Sequence, residues 1–230
     1  MYIFELVIVL LFLLIFSVLS YKKKLLNLEG VLIANAVGLA AITYGPTPLI
    51  DFLAVVLFFV VGEIASNYPK KKHSERGIWN VVGNSLSALA ILSLVVIYPE
   101  HALVFEIGFF GAIAAALADT LSSEVGYYSK SKPIMITTLE KVPRGTDGGI
   151  TLLGEIAGLI GGILIAIVYF LINPSLIIFF AIIIAGFIGT NIDSLFGAVF
   201  ETKKVLNNTH VNLVCGLAGA LFAFLVGLLI

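Results

Sequence analysis

Long apolar segments dominate this chain and constrain its fold more than any other feature. Of the 230 residues, 60% are hydrophobic and 12% are charged, a composition unlike that of an average soluble domain. A membrane-spanning helix needs roughly 20 apolar residues. Such segments occur near residues 2–20, 30–45, 49–67, 80–98, 103–126, 148–172, 175–200 and 211–230. The sequence therefore predicts one all-α, polytopic transmembrane bundle over residues 1–230, with seven or eight helices, depending on whether the short second segment spans fully.

The positive charges predict how this bundle is oriented. All thirteen Lys and Arg residues fall in four clusters: Lys22–Lys24, Lys70–Arg76, Lys130–Arg144 and Lys203–Lys204. Eight helices place these clusters on one side of the bilayer, and the loops of the other side carry none. By the positive-inside rule, the basic loops of a multi-pass cell-membrane protein face the cytoplasm. We therefore expect both termini to lie outside the cell.

Acidic residues near the basic side are the first candidates for a functional site. Asp119 and Ser123 are four residues apart and share a helix face, while Glu124 lies about 140° further round from Asp119. Asp193 precedes Lys203 by ten residues, or roughly 15 Å of helix, at a depth where an ionisable group commonly marks a functional cavity. Carboxylates are suitable Mg²⁺ ligands, so Asp119, Glu124 and Asp193 are candidate metal ligands. The alternatives are ordinary surface acids at a solvated helix end and a structural role for Asp193.

The loop after Glu124 combines positive charge with a glycine-rich turn, which is a chemistry suited to phosphates. Glycines let an anion approach the backbone closely, and a helix N-terminus offers free N–H groups. Thr146 or Asp147 is predicted to cap helix six. The candidate phosphate-binding residues are Lys132, Lys141, Arg144, Gly145, Thr146, Gly148 and Gly149. A basic loop that touches anionic lipid is the alternative, and the Walker A pattern is absent.

Polar stripes on other helices lead into the same region. Arg76, Asn80 and Asn84 recur every four residues and share a face, and Asn212 lies near the start of helix eight. These residues are predicted to contact a nucleotide or phosphate, with interhelical hydrogen bonding as the alternative. The small residues Gly154, Gly158 and Gly162 on helix six are predicted to allow close helix packing.

Several other kinds of chemistry are not indicated. The three histidines lack the spacing of zinc ligands, and no Gly-x-Ser-x-Gly or Ser/His/Asp arrangement suggests an acyl hydrolase. The basic residues lack the interleaved aromatic residues that would suggest nucleic-acid recognition. No nucleic-acid partner is therefore expected.

The block from Asp119 to Gly149 resembles a known family. Its pattern is Ala118-Asp119-Thr120…Ser123-Glu124-x-Gly126, then Pro133…Thr137-Thr138…Lys141-Val142-Pro143-x-Gly145-Thr146-x-Gly148-Gly149. It is similar to the integral-membrane family that contains plant phytyl-phosphate kinase and animal transmembrane protein nineteen. The Arg76…Asn84 stripe, Gly189…Asp193-Ser194…Gly197-Ala198 and Asn207-Asn208…Asn212 also match. The length is near the short end for the family, as in archaeal members, and Asp147 departs from the Asn or small residue expected there.

The resemblance implies a CTP-dependent kinase that converts a phytyl- or geranylgeranyl-type prenyl monophosphate in the membrane to its diphosphate. It implies that Asp119, Glu124 and Asp193 hold Mg²⁺, and that Lys132, Lys141, Arg144 and the Gly145–Gly149 amides neutralise phosphate charge. Arg76, Asn80, Asn84, Ser123 and Asn212 would line the polar cavity on the cytoplasmic side. A cytidylyltransferase that makes a CDP-lipid and a transporter or flippase of an anionic lipid phosphate are the alternatives. Acceptor chain length, nucleotide preference and homo-oligomer formation stay open.

Overall fold

The structure, a computed structural model, describes residues 3–66 and 78–230, with side chains from residue 6 onward. Over these ranges the chain forms eight α-helices: α1 (Ile3–Lys22), α2 (Leu28–Tyr44), α3 (Pro48–Ser66), α4 (Ile78–Ile97), α5 (Ala102–Gly126), α6 (Leu152–Phe170), α7 (Leu176–Phe196) and α8 (Asn208–Gly227). Six of them, α3 to α8, are long and apolar enough to cross a membrane. The prediction of an all-α polytopic bundle is confirmed. Because α2 has 17 residues, it is about 26 Å long, and its full spanning stays a prediction.

Helix α6 begins later than the sequence suggests, because the chain before it forms a small β-hairpin. Strand β1 (Ile134–Met135) pairs antiparallel with β2 (Gly149–Ile150), with Ile134 opposite Ile150. The backbone is therefore still extended at residue 150. Thr151 is the N-cap of α6 and accepts a hydrogen bond from Gly154 N at 3.0 Å, so the prediction that Thr146 or Asp147 caps this helix is wrong.

Helix α5 is the central element of the bundle. In its most apolar stretch 78% of the residues are buried inside the protein, against 33% to 50% for the other five spanning helices. Helices α6, α7 and α8 all contact it, and glycines permit the approach. An added Cβ on Gly161 of α6 would lie 2.9 Å from the Ala118 backbone of α5, and one on Gly219 of α8 would lie 2.6 Å from Gly111 O.

The glycine stripe of α6 has the packing role predicted from its spacing. A Cβ on Gly154 would lie 2.8 Å from Ser122 O of α5, and one on Gly162 would lie 3.1 Å from Ile183 O of α7. The stripe therefore lets α6 contact both α5 and α7 at close range.

The two ends of the bundle carry different polar groups. One end, here named the basic end, holds Lys22–Lys24, Lys130–Arg144 and Lys203–Lys204, at the connections that follow α1, α5 and α7. The other end, named the opposite end, holds the connections that follow α2, α4 and α6. The cluster Lys70–Arg76 lies outside the described residues.

We expect Gly161→Ala to lower the stability of the bundle by roughly 1–3 kcal/mol, the usual effect of overpacking. Its Cβ would meet backbone atoms of α5, which cannot rotate away. Gly62→Ala is the matched control, since its Cβ would find only Thr120 Cγ2 at 3.5 Å, an ordinary contact. Thermal unfolding in detergent checks the pair, and equal melting temperatures for the two variants would contradict this account of the packing.

Candidate functional site

A cavity of about 270 Å³ opens at the basic end of the bundle. The elements around it are the end of α5, the loop that contains the β-hairpin, the end of α7 and the start of α8. Its polar and glycine lining is Asp119, Ser122, Ser123, Gly126, Arg144, Gly145, Thr146, Asp147, Gly148, Gly149, Thr151, Asp193, Ser194, Gly197, Glu201 and Asn208. Segments far apart in the sequence therefore converge on one polar site.

Two carboxyl groups, those of Asp119 and Asp193, form the deepest part of this site. They come from neighbouring helices, α5 and α7, and lie close enough to interact directly. Thr190, which is buried, donates its hydroxyl to Asp119 Oδ1 at 3.4 Å. This bond fixes the orientation of one carboxylate relative to the other. The sequence predicted both acids and the structure brings them together.

Two further acids, Asp147 and Glu201, complete the acidic lining of the cavity. Helix α7 continues into a π-helical turn over Gly197–Glu201. In a regular α-helix, Glu201 would lie about 80° round from Asp193, whereas the wider π turn rotates less per residue. Glu201 therefore faces the cavity, close enough to interact with Asp119 and Asp193. Such π turns frequently occur at functional sites.

The loop of residues 144–149, which carries Asp147, forms another part of the cavity wall. Gly145 and Gly148 both have a φ of 79°, a conformation that favours glycine. A Cβ on Gly148 would also overlap Ala198, because the loop rests directly on the π turn. Among the hydrogen bonds of the described chain, the amides of Gly145, Asp147 and Gly148 donate to no acceptor. These amides are free to bind an anion.

Arg144 is the one basic side chain in the described lining of the cavity. Its Nη2 donates to Ser129 O, and this bond ties the guanidinium to the chain segment just after α5. The remaining guanidinium donors are left for a bound anion.

Asn212 connects the acid pair to helix α4. With its amide nitrogen facing the acceptors, Asn212 donates to Asp193 Oδ2 at 3.3 Å and to Asn208 O at 3.1 Å, and its oxygen accepts from Asn84 Nδ2 at 3.2 Å. Asn212 is only 8% exposed. Asn84 and Asn212 therefore hold Asp193 in place by interhelical hydrogen bonds, which was the alternative to their direct contact with a phosphate.

Some of the other predicted site residues line the cavity and the rest lie elsewhere. Ser123, Gly145, Thr146 and Gly149 line the cavity with Gly148. The structure places Lys132 and Lys141 on the solvent-exposed surface of the loop. Asn80 lies with Glu63 in a separate pocket of about 20 Å³, and Arg76 lies outside the described residues.

Glu124 is not part of the cavity lining. It is half-buried and its carboxylate lies near Tyr128. The reason is the helical rotation of about 140° between positions 119 and 124. Of the three candidate metal ligands, the structure thus brings together two.

The donor set of the cavity fits Mg²⁺ if water and substrate phosphate oxygens complete the coordination of the ion. No three His, Cys, Asp or Glu side chains in the described ranges converge closely enough to hold a metal ion on their own. Mg²⁺, however, is usually bound through one or two carboxylates, with water and phosphate oxygens as its other ligands. Asp119 and Asp193 therefore suit an ion that arrives with a phosphate-bearing substrate.

The hydrogen bond from Asn212 to Asp193 can be tested by exchanging its partners. Asn212→Asp would place a new carboxylate against Asp193 Oδ2, so we expect a loss of about 3 kcal/mol, the usual effect of an uncompensated buried charge. Adding Asp193→Asn should restore part of that loss, because the new amide can donate to the new carboxylate. A double-mutant cycle of unfolding free energies measures this coupling, and strictly additive effects would show that the bond is absent.

Comparison with known proteins places the chain in a family. It is 37% identical to an uncharacterized membrane protein of Methanocaldococcus jannaschii over 213 residues, covering 89% of this chain and 87% of the relative. An uncharacterized membrane protein of Synechocystis is 32% identical, covering 87% and 82%. Protein VTE6, chloroplastic, of Arabidopsis thaliana is 30% identical, covering 84% of this chain and 63% of the relative.

No solved structure matches the chain. The family model described as integral membrane protein DUF92 matches residues 11–220, and this match confirms the family identified from the sequence motifs. The chain belongs to the DUF92 family of integral membrane proteins.

Proposed function

We propose that this protein is a membrane-embedded kinase that transfers the γ-phosphoryl group of CTP to a prenyl monophosphate. One observation carries the proposal: the Asp119–Asp193 acid pair lines one cavity together with Arg144 and the unpaired amides of the Gly145–Gly148 loop. Acids that can hold a divalent cation and donors that can hold phosphate oxygens are the parts that phosphoryl transfer requires. Their position at the end of a membrane bundle suits a lipid acceptor.

The charge of the cavity supports the inclusion of a metal ion. Four carboxylates and a single guanidinium line its described part, so these side chains alone would repel the polyphosphate of a nucleotide. A nucleotide that arrives with Mg²⁺ removes this repulsion, because the ion neutralises both sets of charges. We therefore infer that the nucleotide binds as its magnesium complex, with Asp119 and Asp193 as the protein ligands.

The chain's own residues would act chiefly by positioning and by charge stabilisation. Arg144 and the amides of Gly145, Asp147 and Gly148 would bind the equatorial phosphate oxygens, where negative charge is spread in the transition state. Asn212, with Asn84 behind it, would hold Asp193 at a fixed angle. The acceptor is a phosphate and is already anionic, so the reaction needs no strong general base.

The size of the cavity is suited to the phosphates of the two substrates. Its volume of about 270 Å³ is near the lower end of the range for small-molecule sites, roughly 300–1,000 Å³. The prenyl tail would therefore lie outside the cavity, between helices and lipid. Lys132 and Lys141 are exposed on the same loop, so they would meet substrate phosphates outside the cavity.

The choice of CTP and of a prenyl monophosphate rests on the resemblance of the Asp119–Gly149 block to the phytyl-phosphate kinase family. The cavity accounts for the binding of polyphosphate, and by itself it does not select the base or the acceptor. A nucleotide labelled at one phosphate separates the possible reactions by their products.

Purified protein given Mg²⁺, a prenyl monophosphate and CTP labelled at the γ-phosphate should yield a labelled prenyl diphosphate and unlabelled CDP. A cytidylyltransferase would release labelled pyrophosphate and form a lipid that bears cytidine. A transporter would form neither product and would exchange lipid phosphate without nucleotide. Chromatographic separation of the labelled products distinguishes the three, and either of the last two results would overturn the kinase assignment.

Single substitutions should distinguish the acids inside the cavity, which the reaction needs, from an acid outside it. We expect Asp119→Asn and Asp193→Asn each to lower turnover by roughly two orders of magnitude or more, since each removes charge that acts on the transferring phosphate. Glu124→Gln is the matched control and should retain most activity, because Glu124 lies outside the cavity. Turnover is measured on protein whose melting temperature is unchanged, and a severe loss in Glu124→Gln with normal Asp119→Asn would contradict the site.

The positive-inside rule supports a cytoplasmic location for the basic end, with both termini outside. A cysteine introduced at Ser131, in a Cys215→Ser background, should be protected from an impermeant thiol reagent added outside sealed cells. A cysteine at Glu100, on the opposite end, should be labelled. Both positions are polar loop residues, and the reverse pattern of labelling would invert the orientation.

A further inference from the structure

A second set of buried acids lies at the opposite end of the bundle, away from the cavity. Asp51, in the first turn of α3, is 0% exposed, and Glu106, near the start of α5, is 2% exposed. Glu106 and Asp119 are both on α5, thirteen residues apart, so these two acidic sites are separated by roughly 20 Å along the helix. The proposed phosphoryl transfer makes no use of Asp51 or Glu106.

The two carboxyl groups are in contact and share one donor. Thr47 N lies 3.1 Å from both Asp51 Oδ2 and Glu106 Oε1, and the Thr47 hydroxyl also donates to Glu106 Oε1. Thr47 belongs to the connection between α2 and α3, so these bonds attach that connection to α5. The tight fit extends to Gly45, where any Cβ would overlap the Asp51 carboxylate.

One carboxylate oxygen inside the set has no hydrogen-bond partner. Asp51 Oδ1 is fully buried and unpaired, whereas the hydroxyl of Tyr169, which reaches the set from the end of α6, interacts with Glu106 and Asn173. Tyr169 is 1% exposed and its hydroxyl lies beside Glu106. A fully buried carboxylate oxygen without a donor, in contact with a second carboxyl group, indicates that a proton or a cation is bound between the two groups.

In the described part of the chain, no Lys or Arg lies at this end of the bundle. In the sequence, all thirteen lie in or beside the connections that follow α1, α3, α5 and α7, whereas Asp51 and Glu106 lie near the connections that follow α2 and α4. His101, a histidine at the opposite end, is exposed and lies beside Glu100. Two buried, ionised carboxylates without a counter-charge are strongly unfavourable, so a positive charge must come from solution.

We propose that Asp51 and Glu106 bind one proton between them at neutral pH, as a carboxylic acid hydrogen-bonded to a carboxylate. A proton needs no coordination space, which suits atoms packed out of contact with solvent. Two carboxyl groups that share a site commonly share a proton in this way. The bound proton joins the α2–α3 connection to α5 and thereby fastens three helices at the end opposite the cavity.

Infrared difference spectroscopy tests the proposal directly, because the C=O stretch of a protonated carboxyl group is separate from the carboxylate bands. At pH 7 the wild-type protein should show this band. Asp51→Asn, Glu106→Gln and the double variant should each lose one carboxyl equivalent of it, because the pair holds a single proton. In each single variant the new amide can donate to the remaining carboxylate, so these variants should fold. Glu100→Gln, an exposed acid at the same end, is the matched control and should keep the full band.

Three other results of the same measurement would contradict the proposal. If the band is missing in NaCl but present when choline replaces Na⁺, a metal cation occupies the site and the proton assignment is overturned. If each single variant loses one carboxyl equivalent and the double variant loses two, both groups are protonated and the shared proton is overturned. A wild-type spectrum without any carboxylic band overturns the proposal whether or not the variants fold.

Discussion

The close approach of α5 to its neighbours is the constraint on which the rest of this structure depends. Helix α5 is buried along most of its length, and it can be so only because glycines on α6 and α8 leave room for its backbone. Little hydrophobic force acts between helices in a lipid environment, so tight packing of small residues supplies the attraction. The position of α5 in turn sets the position of both Glu106 and Asp119.

The same packing explains why charged groups are tolerated so deep in the bundle. Asp119 and Asp193 come from two helices that small residues bring together, since a Cβ on Gly189 of α7 would lie 3.2 Å from Ala115 Cα of α5. Each acid therefore meets polar neighbours, among them Thr190 and Asn212, before it meets lipid. An ionisable residue inside a membrane is affordable under this condition.

The sequence predicted the helical class and much of the site because both leave signals in single residues. Apolar length predicted the helices, and the cost of an acid in a membrane segment marked Asp119 and Asp193. The positions of Glu201 and Thr151 left no such signal. Glu201 faces the cavity because of a π turn, and Thr151 caps α6 because a two-residue hairpin delays the helix. Neither feature alters the hydropathy pattern.

Glu124 shows the converse limit of reasoning from composition. An acid at the end of a helix has the same sequence signal whether it faces the bundle or the surface, and only rotation about the axis separates the two. The net helical rotation of about 140° over five residues places Glu124 beside Tyr128 and away from Asp119. Spacing therefore carries more information about a helical site than the number of acids nearby.

The separation of charge at the basic end has a consequence for the order of events in the proposed reaction. Lysines lie on the exposed surface of the loop and just after the π turn, whereas the cavity behind them is lined by Asp119, Asp147, Asp193 and Glu201. Positive potential outside attracts an anionic substrate and raises its encounter rate, while negative potential inside opposes its entry. A substrate that carries divalent cations passes both, since it is attracted outside as an anion and is neutralised within. The arrangement thus favours entry of the metal complex of a nucleotide over entry of the free nucleotide, and this preference acts before the protein contacts the nucleobase.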